Sequence, residues 1–184
     1  MTDTTSVLSG QSWEEVEAAT ASLPEEKERG DAFEAFVEGL IRLDPRRHVE
    51  NYWRLPFPPS IRDRLGLGPK DEGVDAIFED ADGQLTAIQA KFRQDRHASI
   101  PWSELSTFFG CTEQANHRLV VTNVTRLPKL VAKRQHFSAI LVDELDALPA
   151  SFFTSLKEYL ATRCVVYPAP KQPWPFQQEV AFGG

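Results

Sequence analysis

The chain has 184 residues, 41% hydrophobic and 26% charged, with a formal net charge of −7, which suits one folded core better than two full-sized ones. It contains no apolar run near the roughly 20 residues that span a bilayer, its polar start is unlike a secretory signal, and its two cysteines, Cys111 and Cys164, do not make a disulfide framework. A cytoplasmic, membrane-free domain with reduced thiols is expected, and the acidic balance counts against a uniformly basic nucleic-acid binder.

Ser12 followed three residues later by Glu15 forms a capping box, so a first helix is expected to run to Ala21, ahead of Pro24. A second helix covers about 25–43 and stops before Pro45. Within it Phe33, Phe36, Val37, Leu40 and Ile41 recur at helical spacing and make a buried stripe. Glu34 adjoins that stripe, where a carboxylate can reach a neighbouring sheet, and Glu38 is its substitute one turn later. Residues 48–53 read as a strand, followed by a proline-rich, basic loop over 55–70 whose Arg62 and Arg64 are candidate contacts to a DNA backbone.

Two apolar runs, 73–78 and 84–92, flank Asp82-Gly83, a strong hairpin signal. With a three-residue loop over 81–83 and Gly83 in the left-handed conformation, Asp80 pairs with Gln84 and Asp75 falls opposite Gln89. Strand alternation then adds Lys91 to the same face and turns Ile88, Ala90 and Phe92 the other way, into a core. A two-residue loop would shift the register by one and send Asp75 to the wrong face.

The grouping has a chemical rationale. A hard cation such as Mg²⁺ takes oxygen ligands and keeps several waters, so Asp75, the Gln89 amide oxygen, a backbone carbonyl such as Ala90 and a distant Glu34 would suffice. Lys91 beside it can orient the attacking water and offset charge on a pentavalent phosphate. The same three side chains also suit an ordinary amphipathic hairpin with a solvated polar face.

Arg93 and Arg96 follow this strand and are further candidate DNA contacts. Downstream, a helix is expected over 102–115, a buried strand over 119–123, a helix over 127–135 carrying Lys129, Lys133 and Arg134 just after Arg126, a strand over 139–142 and a last helix over 151–161. Strands alternating with helices predict an α/β fold with a mixed central sheet flanked by helices. His48, His97, His117 and His136 are scattered without ligand spacing, and neither a Walker A motif nor a nucleophile elbow is present.

Taken together, Arg29-Gly30-Asp31-Ala32-Phe33-Glu34-Ala35-Phe36-Val37, Asp71-Glu72-Gly73-Val74-Asp75-Ala76-Ile77 and Ala87-Ile88-Gln89-Ala90-Lys91-Phe92 resemble the Mrr-like branch of the PD-(D/E)xK nucleases. Within that branch the likeness is greatest to the amino-terminal nuclease of type ISP restriction enzymes and of related helicase-fused defence proteins. The resemblance spans about 29–125 and implies a restriction-endonuclease-like fold. It also implies Mg²⁺-dependent cutting of DNA, with Mn²⁺ as a substitute, and the following roles: Glu34 as the helix glutamate, Asp75 as the metal-binding aspartate, Gln89 as the second ligand and Lys91 as the catalytic lysine. Gly73-Val74-Asp75 departs mildly from the family's usual lead-in to its aspartate.

The domain division expected is a helical lead over 1–28, a nuclease domain over 29–165 and a Pro-rich linker over 166–184. The end of that linker resembles the entry to a superfamily 2 helicase, with Gln177 in the place of the adenine-reading glutamine. The expected function is a metal-dependent endonuclease module of a restriction or anti-phage protein, fused to a helicase or translocase. The alternative is a catalytically silent, nuclease-like module for DNA binding or docking.

Overall fold

The computed structural model describes residues 4–68 and 73–165. The linker and Gln177, and part of the lead-in to Asp75, lie outside the described residues. In chain order the elements are α1 (Thr4–Val7), α2 (Trp13–Ala21), α3 (Glu26–Arg42), β1 (Val49–Arg54), α4 (Pro59–Leu65), β2 (Ala76–Asp80), β3 (Leu85–Lys91), α5 (Trp102–Cys111), β4 (His117–Thr122), β5 (Phe137–Ile140), α6 (Val142–Asp146) and α7 (Ala150–Thr162). They group into two compact units: residues 49–141, which hold the sheet, and a helical unit built from residues before 49 together with those after 141. The boundary expected at residue 29 falls inside α3, which is unbroken from Glu26 to Arg42.

In the helical unit, Ser12 caps α2 by accepting the Glu15 N–H through its hydroxyl, and Glu15 in turn accepts the Gln11 N–H at 2.7 Å. The α3 stripe packs its aromatic rings against α2 and α7: Phe36 lies 4.7 Å from Trp13 and 5.9 Å from Phe152, ring centre to ring centre. Such offset and edge-on pairs add to the stabilisation from burial itself. Gly39 lets α7 approach closely, because a Cβ there would overlap the Leu156 side chain.

The sheet unit is a mixed five-stranded sheet in the order β1-β2-β3-β4-β5. The β1–β2 and β2–β3 pairs are antiparallel, while the β3–β4 and β4–β5 pairs are parallel. The β2–β3 register opposes Ala76 to Ile88 and Glu79 to Leu85. The turn is the three-residue loop: the Asp80 N–H donates to Gln84, the Gly83 N–H donates to the Asp80 carbonyl, and Gly83 has φ +75°. The Asp80 carboxylate secures it by accepting the N–H groups of Asp82 and Gln84. Local turn chemistry therefore fixes which residues share a face.

That shared face is not solvated, so the sheet differs from an amphipathic hairpin. Ile77, Leu85, Ala87 and Val120 pack with Ile61 and Leu65 of α4 and with Leu105, Phe108 and Phe109 of α5. The alternate set, Ala76, Phe78, Ile88, Leu119 and Val121, is buried as well. Burial on both faces is what parallel central strands with crossover helices produce.

Four local expectations give way. Part of the 55–70 loop is α4, which starts on Pro59 and stops at Gly66 with φ +65°, proline at the start and glycine past the end being ordinary helix punctuation. No helix forms over 127–135; only a single 3-10 turn at Val131–Lys133 is found. There Val131 is buried but Leu130 is 49% exposed, so no apolar stripe exists to hold a helix against the core. α5 ends at Cys111 rather than 115, and β5 ends at Ile140, Val142 instead opening α6.

Candidate active site

Asp75 precedes β2 by one residue and continues its ladder, its N–H donating to the Ile88 carbonyl at 3.0 Å. The β2–β3 register extended by one step places it opposite Gln89. Its carboxylate accepts the Ala90 N–H at 2.7 Å. This bond ties the carboxylate to the strand that carries Gln89 and Lys91. Within a strand the N–H and C=O of one residue point to the same side. The Ala90 carbonyl is therefore directed to the Asp75 side of β3, beyond the last rung of β2.

Gln89 is 1% exposed, and its Oε1 is buried without a hydrogen-bond partner among the described residues. A buried amide oxygen left unpaired costs about 1–3 kcal/mol, so this position needs a reason beyond packing. Gly73, with φ +77°, helps shape the pocket, since a Cβ there would lie 3.3 Å from the Gln89 Nε2. Lys91 ends β3 half-buried, opposite Thr122 of β4, and shares strand parity with Gln89.

One carboxylate, one buried amide oxygen and one backbone carbonyl are thus carried at facing positions of the β2 lead-in and β3. They suit a hard cation that retains water. They do not suit zinc, which takes nitrogen and sulfur donors, and among the described residues no three His, Cys, Asp or Glu side chains cluster as a metal cage. Glu34 lies half-buried on α3 in the helical unit. Glu38, its substitute, is engaged within that unit: it accepts the Tyr159 hydroxyl at 2.7 Å and the Arg42 Nε–H at 3.1 Å.

By sequence Asn123 is only the end of a buried strand; in the structure it extends the site. Fully buried, it accepts the Arg93 N–H through Oδ1 at 2.8 Å and donates from Nδ2 to the Arg93 carbonyl at 2.7 Å. The side chain copies a ladder rung and prolongs the β3–β4 pairing past Lys91. The available signal was an amide closing an apolar run.

The four arginines expected to meet DNA differ in what they already bind. Arg64 donates to Glu79 at 2.7 Å and to the Gly83 carbonyl at 3.0 Å, and Arg93 donates to Glu104 at 2.5 Å. The bond from Arg64, and then that from Asn51, holds the Glu79 carboxyl below its ordinary range. Arg62 is half-buried on α4. Arg96 sits in the loop after β3, its carbonyl accepting the Thr125 N–H at 3.0 Å. Among the described residues no helix is long and apolar enough to cross a membrane.

Residues 47–149, more than half of the chain, match the profile of a family described as restriction endonuclease, of the Mrr catalytic type. The matched stretch includes Asp75, Gln89, Ala90, Lys91 and Asn123 and leaves Glu34 outside it. No curated protein matches the sequence. Among solved structures, an ATP-dependent type ISP restriction-modification enzyme, LlaBIII, bound to DNA, is similar over 93% of this chain with a TM-score of 0.59 and 20% identity. This chain covers 10% of that one, and at such identity the likeness is one of fold.

Proposed function

Because the chain belongs to the restriction endonuclease family, in its Mrr-like PD-(D/E)xK branch, we propose that it hydrolyses DNA phosphodiesters with a divalent metal at the Asp75–Gln89–Lys91 site. The observation that carries this reading is the Gln89 Oε1, buried without a partner among the described residues at the position opposite the tethered Asp75. Asp75, the Gln89 Oε1 and the Ala90 carbonyl would hold Mg²⁺, or Mn²⁺ in its place. When bound, the cation supplies Lewis acidity to the phosphate and lowers the pKa of the attacking water.

The remaining work falls to the chain. Asp75 cannot swing away while it accepts the Ala90 N–H, so its oxygens keep one orientation relative to β3. Lys91 brings an ammonium to the same face, where it orients the nucleophile and offsets charge on the phosphate as the bond to the leaving oxygen breaks. The Asn123 clamp on Arg93 fixes the backbone just after Lys91. Burial of the surrounding Ile77, Ala87 and Val120 keeps bulk water from competing for these charges.

The chain's coverage of a tenth of the type ISP enzyme supports a module rather than a whole machine. We place it in a restriction or anti-phage protein, next to a helicase or translocase in the same polypeptide. A silent docking module is the second reading. The net charge of −7 and the neutralisation of Arg64 and Arg93 by carboxylates favour it.

Plasmid nicking in Mg²⁺ or Mn²⁺ tests the choice. Wild-type protein is expected to nick, and Asp75→Ala and Lys91→Ala are each expected to lose the activity. Unchanged nicking in both variants removes the assignment, and a wild type inert with either metal leaves the docking reading.

A further inference from the structure

Between Glu113 and Asp143 the sequence has no carboxylate side chain, in a chain of net charge −7. The connection from β4 to β5 lies inside that stretch and carries Arg126, Lys129, Lys133 and Arg134. All four are exposed, and among the described residues none of them makes an ion pair. Six cations elsewhere, Lys27, Arg42, Arg46, Arg47, Arg64 and Arg93, each meet a carboxylate. Four like charges within nine residues repel one another. A chain with 27 acidic residues had carboxylates to neutralise them and uses none here.

The connection is also tied to the candidate site. It begins at Asn123, immediately after Thr122, the β4 residue opposite Lys91. Asn123 clamps Arg93, and the Thr125 N–H donates to the Arg96 carbonyl. Its first residues are therefore fixed at two points to the segment leaving Lys91. At its far end the Arg134 guanidinium lies 4.8 Å from the centre of the Trp102 ring, which stacks on Phe109 at 5.6 Å. Trp102 is thus engaged by Phe109 and Arg134, and the surface offers charge rather than an open aromatic platform. Such a surface suits a phosphate backbone and not splayed bases.

We infer that the 123–136 connection binds the phosphodiester backbone of duplex DNA, without regard to sequence, and leads it to the Lys91 end of the sheet. The inference rests on the reading of that site as a nuclease. It moves the main DNA contact away from Arg64 and Arg93, whose charge is already matched, and onto cations that meet no carboxylate among the described residues.

The test is equilibrium binding of a short random-sequence duplex, and of its single strand, to the 184-residue chain across a salt series in EDTA. The variants are R126Q/K129Q/K133Q, which removes charge from exposed side chains without bonded partners, and the charge-preserving R126K/K129R/K133R. The glutamine variant is expected to bind the duplex about tenfold or more weakly at low salt. Its slope of log K against log salt should shrink by about 0.9 for each phosphate contact removed. The charge-preserving variant should stay within about twofold of wild type, and the single strand should bind no tighter than the duplex.

Wild-type affinity and slope in the glutamine variant would overturn the inference, as would a preference for the single strand or no measurable binding by the wild type. EDTA makes the result independent of cleavage. A chain that nicks plasmid but binds DNA equally well with and without these cations keeps its site and loses this surface; one that binds through them but never nicks keeps the surface and loses the site.

Discussion

The Asp75 carboxylate accepts the Ala90 N–H at 2.7 Å, so a side chain at the start of one strand is held by the backbone of the next. Asparagine retains an oxygen for that N–H but carries no charge. Asp75→Asn is therefore expected to melt within a few degrees of wild type while nicking DNA about 100-fold more slowly. Asp75→Ala should lose activity and in addition about 1 kcal/mol of stability, because the Ala90 N–H loses its acceptor. Thermal unfolding measured beside nicking rates separates the two effects, and wild-type rates in the asparagine variant would remove the Asp75 charge from the mechanism.

Gln89 offers a sharper contrast, since its buried Oε1 has no partner among the described residues. Methionine has similar length and no polar oxygen to leave unpaired. Gln89→Met is expected to unfold at the same temperature as wild type or higher, by up to about 1–2 kcal/mol, while its Mg²⁺-dependent nicking falls. If Gln89 only fills space, stability and nicking should both survive the change.

Tyr159 gives the helical unit a pH signature. Burial, and then its hydrogen bond to Glu38, raise its hydroxyl pKa above the ordinary tyrosine value of about 10. A raised folded-state pKa means that the stabilisation is complete below the unfolded value and is lost as pH climbs through the folded one. Wild-type stability in urea should therefore fall above about pH 10, and Tyr159→Phe should lessen that alkaline loss. Absorbance titration should also show one tyrosine ionising later than in the unfolded chain; coincident titration in both states would contradict this account.

What could be read in advance tracks the distance over which each feature is determined. The Asp75–Gln89 opposition follows from a turn only a few residues long, in which Asp80 and Gly83 set the register. The α3 stripe is equally local, because helical spacing alone picks out Phe33, Phe36 and Leu40. The Asn123 clamp joins residues 30 apart, and no local pattern announces that an amide will replace a ladder rung. The pairing of Arg93 with Glu104 likewise depends on where α5 comes to lie. The helix expected over 127–135 is absent for a related reason: composition favours it, but Val131 is buried, Leu127 is only partly buried against the core and Leu130 is left exposed.

The helical unit is assembled from residues on both sides of the 49–141 sheet unit, which has a consequence for synthesis. Phe36 must wait for Phe152, its edge-on partner, more than a hundred residues later. A chain ending at residue 141 would contain every strand of the sheet unit while the α3 aromatic residues still lacked α7, leaving that surface open to chaperones.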